Sequence, residues 1–261
     1  MKDTLKIELT ALLKSFLNSD NKLENKEVCQ KIYKLLITEF DFDLTQNKTV
    51  KTHHGKALDA MSTAKTLLLN TRNKKYLQAI LKKLTGKEEV LYLGTGPFAP
   101  FLLFPVLLGC QAKFTLLEIN EYSIDVLEKM IQRFQLSDSV LEVVKTDSAL
   151  WKTDRSYDLV IGGINDMSMR HEDSFEIHKN IVKQLPEAQY IPKNIELYLK
   201  QADKVDYYDS LLSGIEKGYL RTDCPYPKEL RPILQTKVIV DEDLVLEPGE
   251  SIITGSTYFY S

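Results

Sequence analysis

Two glycines one residue apart follow an apolar run in VLYLGTGPFAPF, residues 90–101. A strand that ends in Gly-x-Gly and opens a helix sets backbone N–H groups and a positive dipole end beside a ligand, and the missing side chains permit close approach. Gly94, Thr95 and Gly96 are therefore candidate cofactor-binding residues. Glu118 closes the next apolar run, FTLLEIN, where a carboxylate can accept two hydroxyl hydrogen bonds from a ribose. Asp147 closes a third run, VLEVVKTD, and with Ser148 after it could meet an adenine amino group. A nucleoside-containing cofactor is the expectation. GTGPFA also satisfies the dinucleotide pattern G-x-G-x-x-A with an acid some 20 residues on. Three features favour S-adenosylmethionine instead: almost ninety helical residues before the sheet, Pro97 directly after the second glycine, and the polar TDSALW after strand three.

The elements that must position these groups follow from hydrophobic period. Leu5, Leu9, Leu12 and Leu13, then Val28, Ile32, Leu35 and Leu36, recur at helical spacing, with Ser19–Asn21 as turn and cap formers between them. Residues 45–56 form a polar connector, after which the helical period resumes to Leu84 with Gly86 as the stop. Four bounded apolar runs then alternate with helical segments, the signature of a parallel, doubly wound sheet expected over 88–185. Beyond Pro186 the alternation in IPKNIELYL and TKVIVDEDLVL predicts antiparallel strands. The expected division is an N-terminal helical region, 1–85, a Rossmann-like cofactor domain, 86–185, and a β-rich substrate or dimerisation region, 186–261.

Composition narrows the function. With 261 residues, 43% of them hydrophobic, and a net charge of −3 without a basic stripe, a globular enzyme is expected and a nucleic-acid partner is not. Cys29, Cys110 and Cys224 lack metal or disulfide-framework spacing, and the adjacent His53 and His54 have no third ligand nearby, so no metal is expected. The N-terminal segment has no signal-peptide pattern, and no apolar run reaches the roughly 20 residues of a bilayer span. A cytoplasmic protein without a membrane segment is the expectation.

In order and spacing, VLYLGTGPF, LLEIN, VVKTDSALW and YDLVIGG resemble the class I S-adenosylmethionine-dependent methyltransferases. The flanks resemble the protein arginine methyltransferase group: RNKKYLQAI (72–80) is similar to its R-T-x-x-Y-x-x-A-I segment, and IPKNIELYL (191–199) to the strand leading into its β-domain. The resemblance implies that Arg72 pairs with the cofactor carboxylate through its fork of donors, and that the chain forms a homodimer. It also implies an acceptor-binding loop after strand four, with two glutamates. Aligned without a gap, GGINDMSMRHE (162–172) keeps the second as Glu172, has Gly163 at the first, and offers Asp166 as a stand-in. Glu172 is the candidate for orienting the acceptor or removing its proton, with His171 and Asp166 behind it. Tyr92 stands where the group's first motif has an acid, and Phe98 where it has a third glycine. The expected activity is methyl transfer to a nitrogen or oxygen nucleophile of a peptide, protein or small molecule. An NAD(P)-dependent oxidoreductase and a non-catalytic binding protein on the same fold remain the alternatives.

Overall fold

The computed structural model describes residues 3–53, 55–163, 174–201, 204–210, 233–248, 250 and 257–258. It opens with two helices, α1 (Thr4–Asn18) and α2 (Lys22–Glu39). Asp3 caps α1 through Lys6 N, and Asn21 caps α2 by accepting from Leu23 N and Glu24 N, so the break falls where turn-forming residues cluster. The polar connector is more than a linker. It folds into a small hairpin, β1 (Val50–Lys51) with β2 (Lys56–Ala57), then α3 (Ala60–Ala64) and a 3₁₀ turn, before α4 (Asn70–Lys83). The helix stops before Gly86, whose N–H is instead held in a turn by the Glu88 carboxylate.

The central sheet contains β3 (Glu89–Leu93), β4 (Lys113–Glu118), β5 (Val140–Lys145), β6 (Leu159–Gly162) and β7 (Gln189–Ile191), all parallel, in the order β5-β4-β3-β6-β7. β7 lies beyond the expected limit of 185. Its three residues are too short to show a period, and only the pairing Leu159–Gln189 through Ile161–Ile191 reveals it as the fifth parallel strand. Between the strands run α5 (Pro100–Leu107), α6 (Glu121–Phe134) and α7 (Ser174–Gln184).

Side chains alternate across the sheet as a pleated strand requires. Val90, Tyr92, Phe114, Leu116, Leu159 and Ile161 face a core completed by α1, α2, α4, α5 and α6. Leu91, Leu93, Leu117 and Val160 face a second core closed by Ile177 and Ile181 of α7 and by Leu185 just after it. The helical face on α6, which runs through Val126, Leu127, Met130, Ile131 and Phe134, contributes ~1.5–3 kcal/mol per large side chain buried. Strand order reverses between β3 and β6, and in such sheets a ligand crevice opens outside the carboxyl ends at that point.

A second, antiparallel sheet follows. β8 (Asn194–Gln201) pairs with β9 (Lys204–Ser210) and with β10 (Ile233–Asp241), which also pairs with β11 (Leu244–Leu246) and β12 (Thr257–Tyr258). This is the antiparallel structure that the alternating pattern predicts. Lys83 ties it to α4 through Asp241 at 3.2 Å. Among the described residues no helix is long and apolar enough to cross a membrane, and no His, Cys, Asp and Glu cluster fits a metal ion. Burial pushes the Cys29 thiol up to about 12, the behaviour of an unreactive core thiol.

Candidate cofactor crevice at the strand order reversal

The glycine loop leaves β3 with Gly94 and Gly96 both at φ 63°. Its N–H groups do not point outward as the sequence pattern implies. Gly94 N and Thr95 N donate to Leu117 O at 2.9 and 3.4 Å, and Gly96 N donates to Glu118 Oε2 at 2.7 Å, so all three turn toward the end of β4. Nor does Gly96 open a helix: α5 begins only at Pro100, after Ala99 in a left-handed conformation. A pyrophosphate would find the N–H groups of Gly94, Thr95 and Gly96 already engaged and no helix N-terminus beside Gly96. Thr95 is buried, with its hydroxyl turned to Gly96 O. Phe98, in place of a third glycine, packs between Phe40 and Phe42 at ring distances of 6.0 and 5.4 Å, which fastens the loop to the N-terminal layer.

Glu118 sits where β4 ends and is almost fully buried. Its carboxylate accepts three backbone N–H bonds, from Gly96, Ile119 and Asn120, at 2.7–2.9 Å. Burial pushes its carboxyl above the ordinary range, and the three N–H bonds hold it back only in part. A carboxylate offers about four lone-pair directions, so one remains for a ribose hydroxyl, and gripping two requires the Gly96 N–H to give way.

Beyond β5, Asp147 closes a turn. Its Oδ1 accepts from Ala149 N at 3.0 Å, its carbonyl accepts from Leu150 N and Trp151 N, and its Oδ2 accepts from His53 N at 2.7 Å. Ser148 beside it is 7% exposed. The connector and the residues just before it thus strap three positions on the carboxyl edge: Asp43 N donates to Tyr122 Oη, Lys48 O accepts from Asn120 Nδ2, and His53 N reaches Asp147. Thr63 of α3 fits against Gly96 so closely that a Cβ on Gly96 would meet its methyl group at 2.3 Å. No sequence pattern marks Thr63 or His53 N for these roles, because both are fixed by tertiary contact.

Arg72 lies on α4, fully buried, and reaches across the reversal between β3 and β6. Its Nη1 donates to Asn73 Oδ1 at 3.2 Å, and Nη2 makes a long contact of 3.5 Å to Gly163 O. The Nε has no partner, and among the described residues no carboxylate forms an ion pair with it. The guanidinium carbon lies 4.8 Å from the Tyr76 ring centre and 5.0 Å from that of Phe101. Burial lowers the guanidinium's proton affinity, while the Tyr76 and Tyr92 oxygens offset this. Tyr76 is four residues on from Arg72, the one signal in the sequence that the two share a helix face. Tyr92 leaves this end of β3 with no carboxylate, and burial pushes its hydroxyl upward.

Gly163 closes the crevice floor. Its N–H donates to Leu93 O at 2.7 Å, and a Cβ there would lie 2.3 Å from Gly94 O and 2.6 Å from Leu93 O. With this backbone no side chain fits at 163, so a glutamate is excluded there sterically. The remaining acceptor-side candidates, Asp166, His171 and Glu172, lie outside the described residues, as does His54. The structure therefore gathers Gly94, Thr95, Gly96, Glu118 and Arg72 at one edge, with Asp147 and Ser148 next along it.

No family model and no curated protein matches this chain. Among solved structures it is similar to the Trypanosoma brucei PRMT1 enzyme-prozyme heterotetrameric complex with AdoHcy, at 10% identity and a TM-score of 0.51 over 73% of this chain and 78% of that one. It is also similar to Arabidopsis thaliana protein arginine methyltransferase 10, a structure in an open conformation, at 18% identity and a TM-score of 0.44, over 52% of this chain and 39% of that one. At such identities the first likeness shows the fold alone: a Rossmann-like methyltransferase fold with a small antiparallel sheet.

Proposed function

We propose that this chain is an S-adenosylmethionine-dependent methyltransferase whose donor site is the crevice between the ends of β3, β4 and β6. The observation that carries the reading is Arg72. Among the described residues its guanidinium has no counter-charge; an ion held so in the interior costs several kcal/mol, and the two flanking rings return only about 1–2 kcal/mol each. A guanidinium in that state is suited to a ligand carboxylate, and the amino-acid tail of the donor has one. The AdoHcy in the T. brucei complex, the product that remains after methyl transfer, is the same class of ligand.

The residues fit that group. Arg72 would hold the tail carboxylate, the bare backbone at Gly94 and Gly96 with buried Thr95 would let the tail lie close, Glu118 would take a ribose hydroxyl, and Asp147 and Ser148 would border the base. When bound, S-adenosylmethionine supplies a methyl group already activated by its sulfonium charge, so the protein's task is chiefly orientation and, for a protonated amine, proton removal. Glu172, with His171 and Asp166, is our candidate for holding the acceptor and taking its proton. The acceptor is a nitrogen or oxygen nucleophile of a peptide, protein or small molecule. With no side chain possible at 163, a guanidinium gripped by two glutamates in the arginine methyltransferase manner is disfavoured.

The dinucleotide alternative is the weaker reading, because the N–H groups of Gly94, Thr95 and Gly96 are engaged by the end of β4. Isothermal calorimetry with S-adenosylhomocysteine tests the reading. We expect 1:1 binding to the wild type and no thermal shift with NAD or NADP; a shift with a dinucleotide and none with S-adenosylhomocysteine would reverse it. A labelled methyl group appearing in any acceptor separates the enzyme from a binding protein of the same fold. The proposed homodimer is tested by size-exclusion chromatography with light scattering.

A further inference from the structure

Asn180 and Gln184 stand one helical turn apart on α7, beside the stripe Ile177, Ile181 and Leu185 that packs on the sheet. They do not face solvent alone. Asn180 Nδ2 donates to Ser148 O at 3.1 Å and to Trp151 O at 2.8 Å. Gln184 Nε2 donates to Trp151 O at 3.0 Å and to Asn180 Oδ1 at 3.0 Å, while its Oε1 accepts from Thr153 N at 3.0 Å. Two side-chain amides thereby satisfy both carbonyls that the turn 148–151 directs at α7, and each orients the other.

On its far side the same turn carries Asp147, tied to the strap through His53 N, and Ser148, whose hydroxyl has no protein partner among the described residues. The turn is therefore held on two sides, by the strap and by α7, and among the described residues the Ser148 hydroxyl stays unengaged. Irregular loops of this length are ordinarily mobile. From α7 alone it receives four bonds: the two of Asn180, and the two that Gln184 makes to Trp151 and Thr153. Neither amide carries charge, so the clamp holds through pH and salt changes that leave the fold intact.

We propose that Asn180, with Gln184 behind it, is a positioning residue that fixes the loop 147–153 as the wall of the nucleoside half of the donor site. The inference rests on the methyltransferase reading and extends it to a residue some thirty positions from the loop it serves. It separates the two halves of the ligand energetically: Arg72 acts on the amino-acid tail, and Asn180 acts, through the loop, on the base.

The experiment compares two ligands on the wild type and three variants. S-adenosylhomocysteine has both base and tail, and 5′-methylthioadenosine has the base and ribose only. In Asn180→Ala the dissociation constants of both ligands should rise by the same factor, about tenfold. In Arg72→Met that of S-adenosylhomocysteine alone should rise. The lone tryptophan of the chain, Trp151, lies in the loop and should shift its emission in Asn180→Ala but not in Arg72→Met. Gln184→Met keeps the volume and loses the amide, so a rise of about threefold for both ligands is expected even where Asn180→Ala folds poorly. Unchanged affinities in Asn180→Ala and Gln184→Met, or a loss confined to S-adenosylhomocysteine, would overturn the proposal while leaving the transferase intact. A wild type that binds neither ligand would overturn the transferase reading itself.

Discussion

Glu118 and Arg72 are both buried charges on one edge of one sheet, and the protein treats them in opposite ways. Glu118 is surrounded by its own backbone: three N–H groups from the glycine loop and the start of α6 converge on it. Among the described residues Arg72 has the rings of Tyr76 and Phe101, the Tyr76 hydroxyl, a side-chain amide and one distant carbonyl, with its Nε unsatisfied. The difference separates architecture from demand. The carboxylate locks the glycine loop to the end of β4, whereas the guanidinium meets no acid among the described residues and, on the proposed reading, awaits the carboxylate of a ligand. Buried ions left incomplete are costly, and a site that persists in that state is the more informative of the two.

Removing the incomplete charge breaks the comparison most sharply. Arg72→Met should weaken S-adenosylhomocysteine at least 100-fold, roughly 3 kcal/mol or more, yet leave the ligand-free protein as stable as the wild type or more so by about 1 kcal/mol. Calorimetry and urea unfolding on the same samples check both signs, and a destabilised apo variant would mean that Arg72 is already paired. Next in size is Gly163→Ala, which drives a methyl group into the Leu93 and Gly94 carbonyls and should cost about 2–3 kcal/mol in urea unfolding; an unchanged midpoint would show that the crevice floor yields.

Gly96→Ala should cost about 2 kcal/mol, partly for the left-handed backbone and partly for the Thr63 methyl group. Thr63→Gly in the same chain should restore part of that loss, and equal losses with and without it would remove Thr63 from the account. The smallest effect belongs to the complete charge. Because burial raises the Glu118 carboxyl, the folded chain binds its proton more tightly than the unfolded chain does. Stability therefore falls as pH rises from the ordinary carboxylate range to the raised value, by ~1.4 kcal/mol for each unit between them, and stays lower above it. Glu118→Gln should flatten that slope in unfolding midpoints taken from pH 4 to 8, and parallel slopes would contradict the assignment.

Much of this layout is legible in the sequence, for reasons that differ by element. Runs such as VLYL and FTLLE read as buried strands because both faces are covered, and their ends place Gly94 and Glu118 at one edge. The segment EYSIDVLEKMIQRF forms α6 because its apolar stripe and its Asn120 cap agree. Pattern alone misses three things. QYI is too short to announce a strand, and its place in the sheet comes only from pairing with β6. The connector 45–56 looks like a polar linker because its hairpin is held by bonds to Asn120 and Asp147 rather than by an apolar face. The direction of the glycine-loop N–H groups depends on positive φ at two residues, which the spacing G-x-G permits but does not specify. Asn180 is invisible for the same kind of reason, since its partners are carbonyls and every residue has one.

The central claim is that an amino-acid carboxylate completes Arg72 while a ribose rests on Glu118. A crystal structure of the chain with S-adenosylhomocysteine tests it most directly. The account predicts density in the crevice between β3 and β6, with the carboxylate on the Arg72 guanidinium and a ribose hydroxyl on Glu118. The ligand bound elsewhere, or its carboxylate turned away from an Arg72 that pairs instead with an acid of this chain, would contradict it.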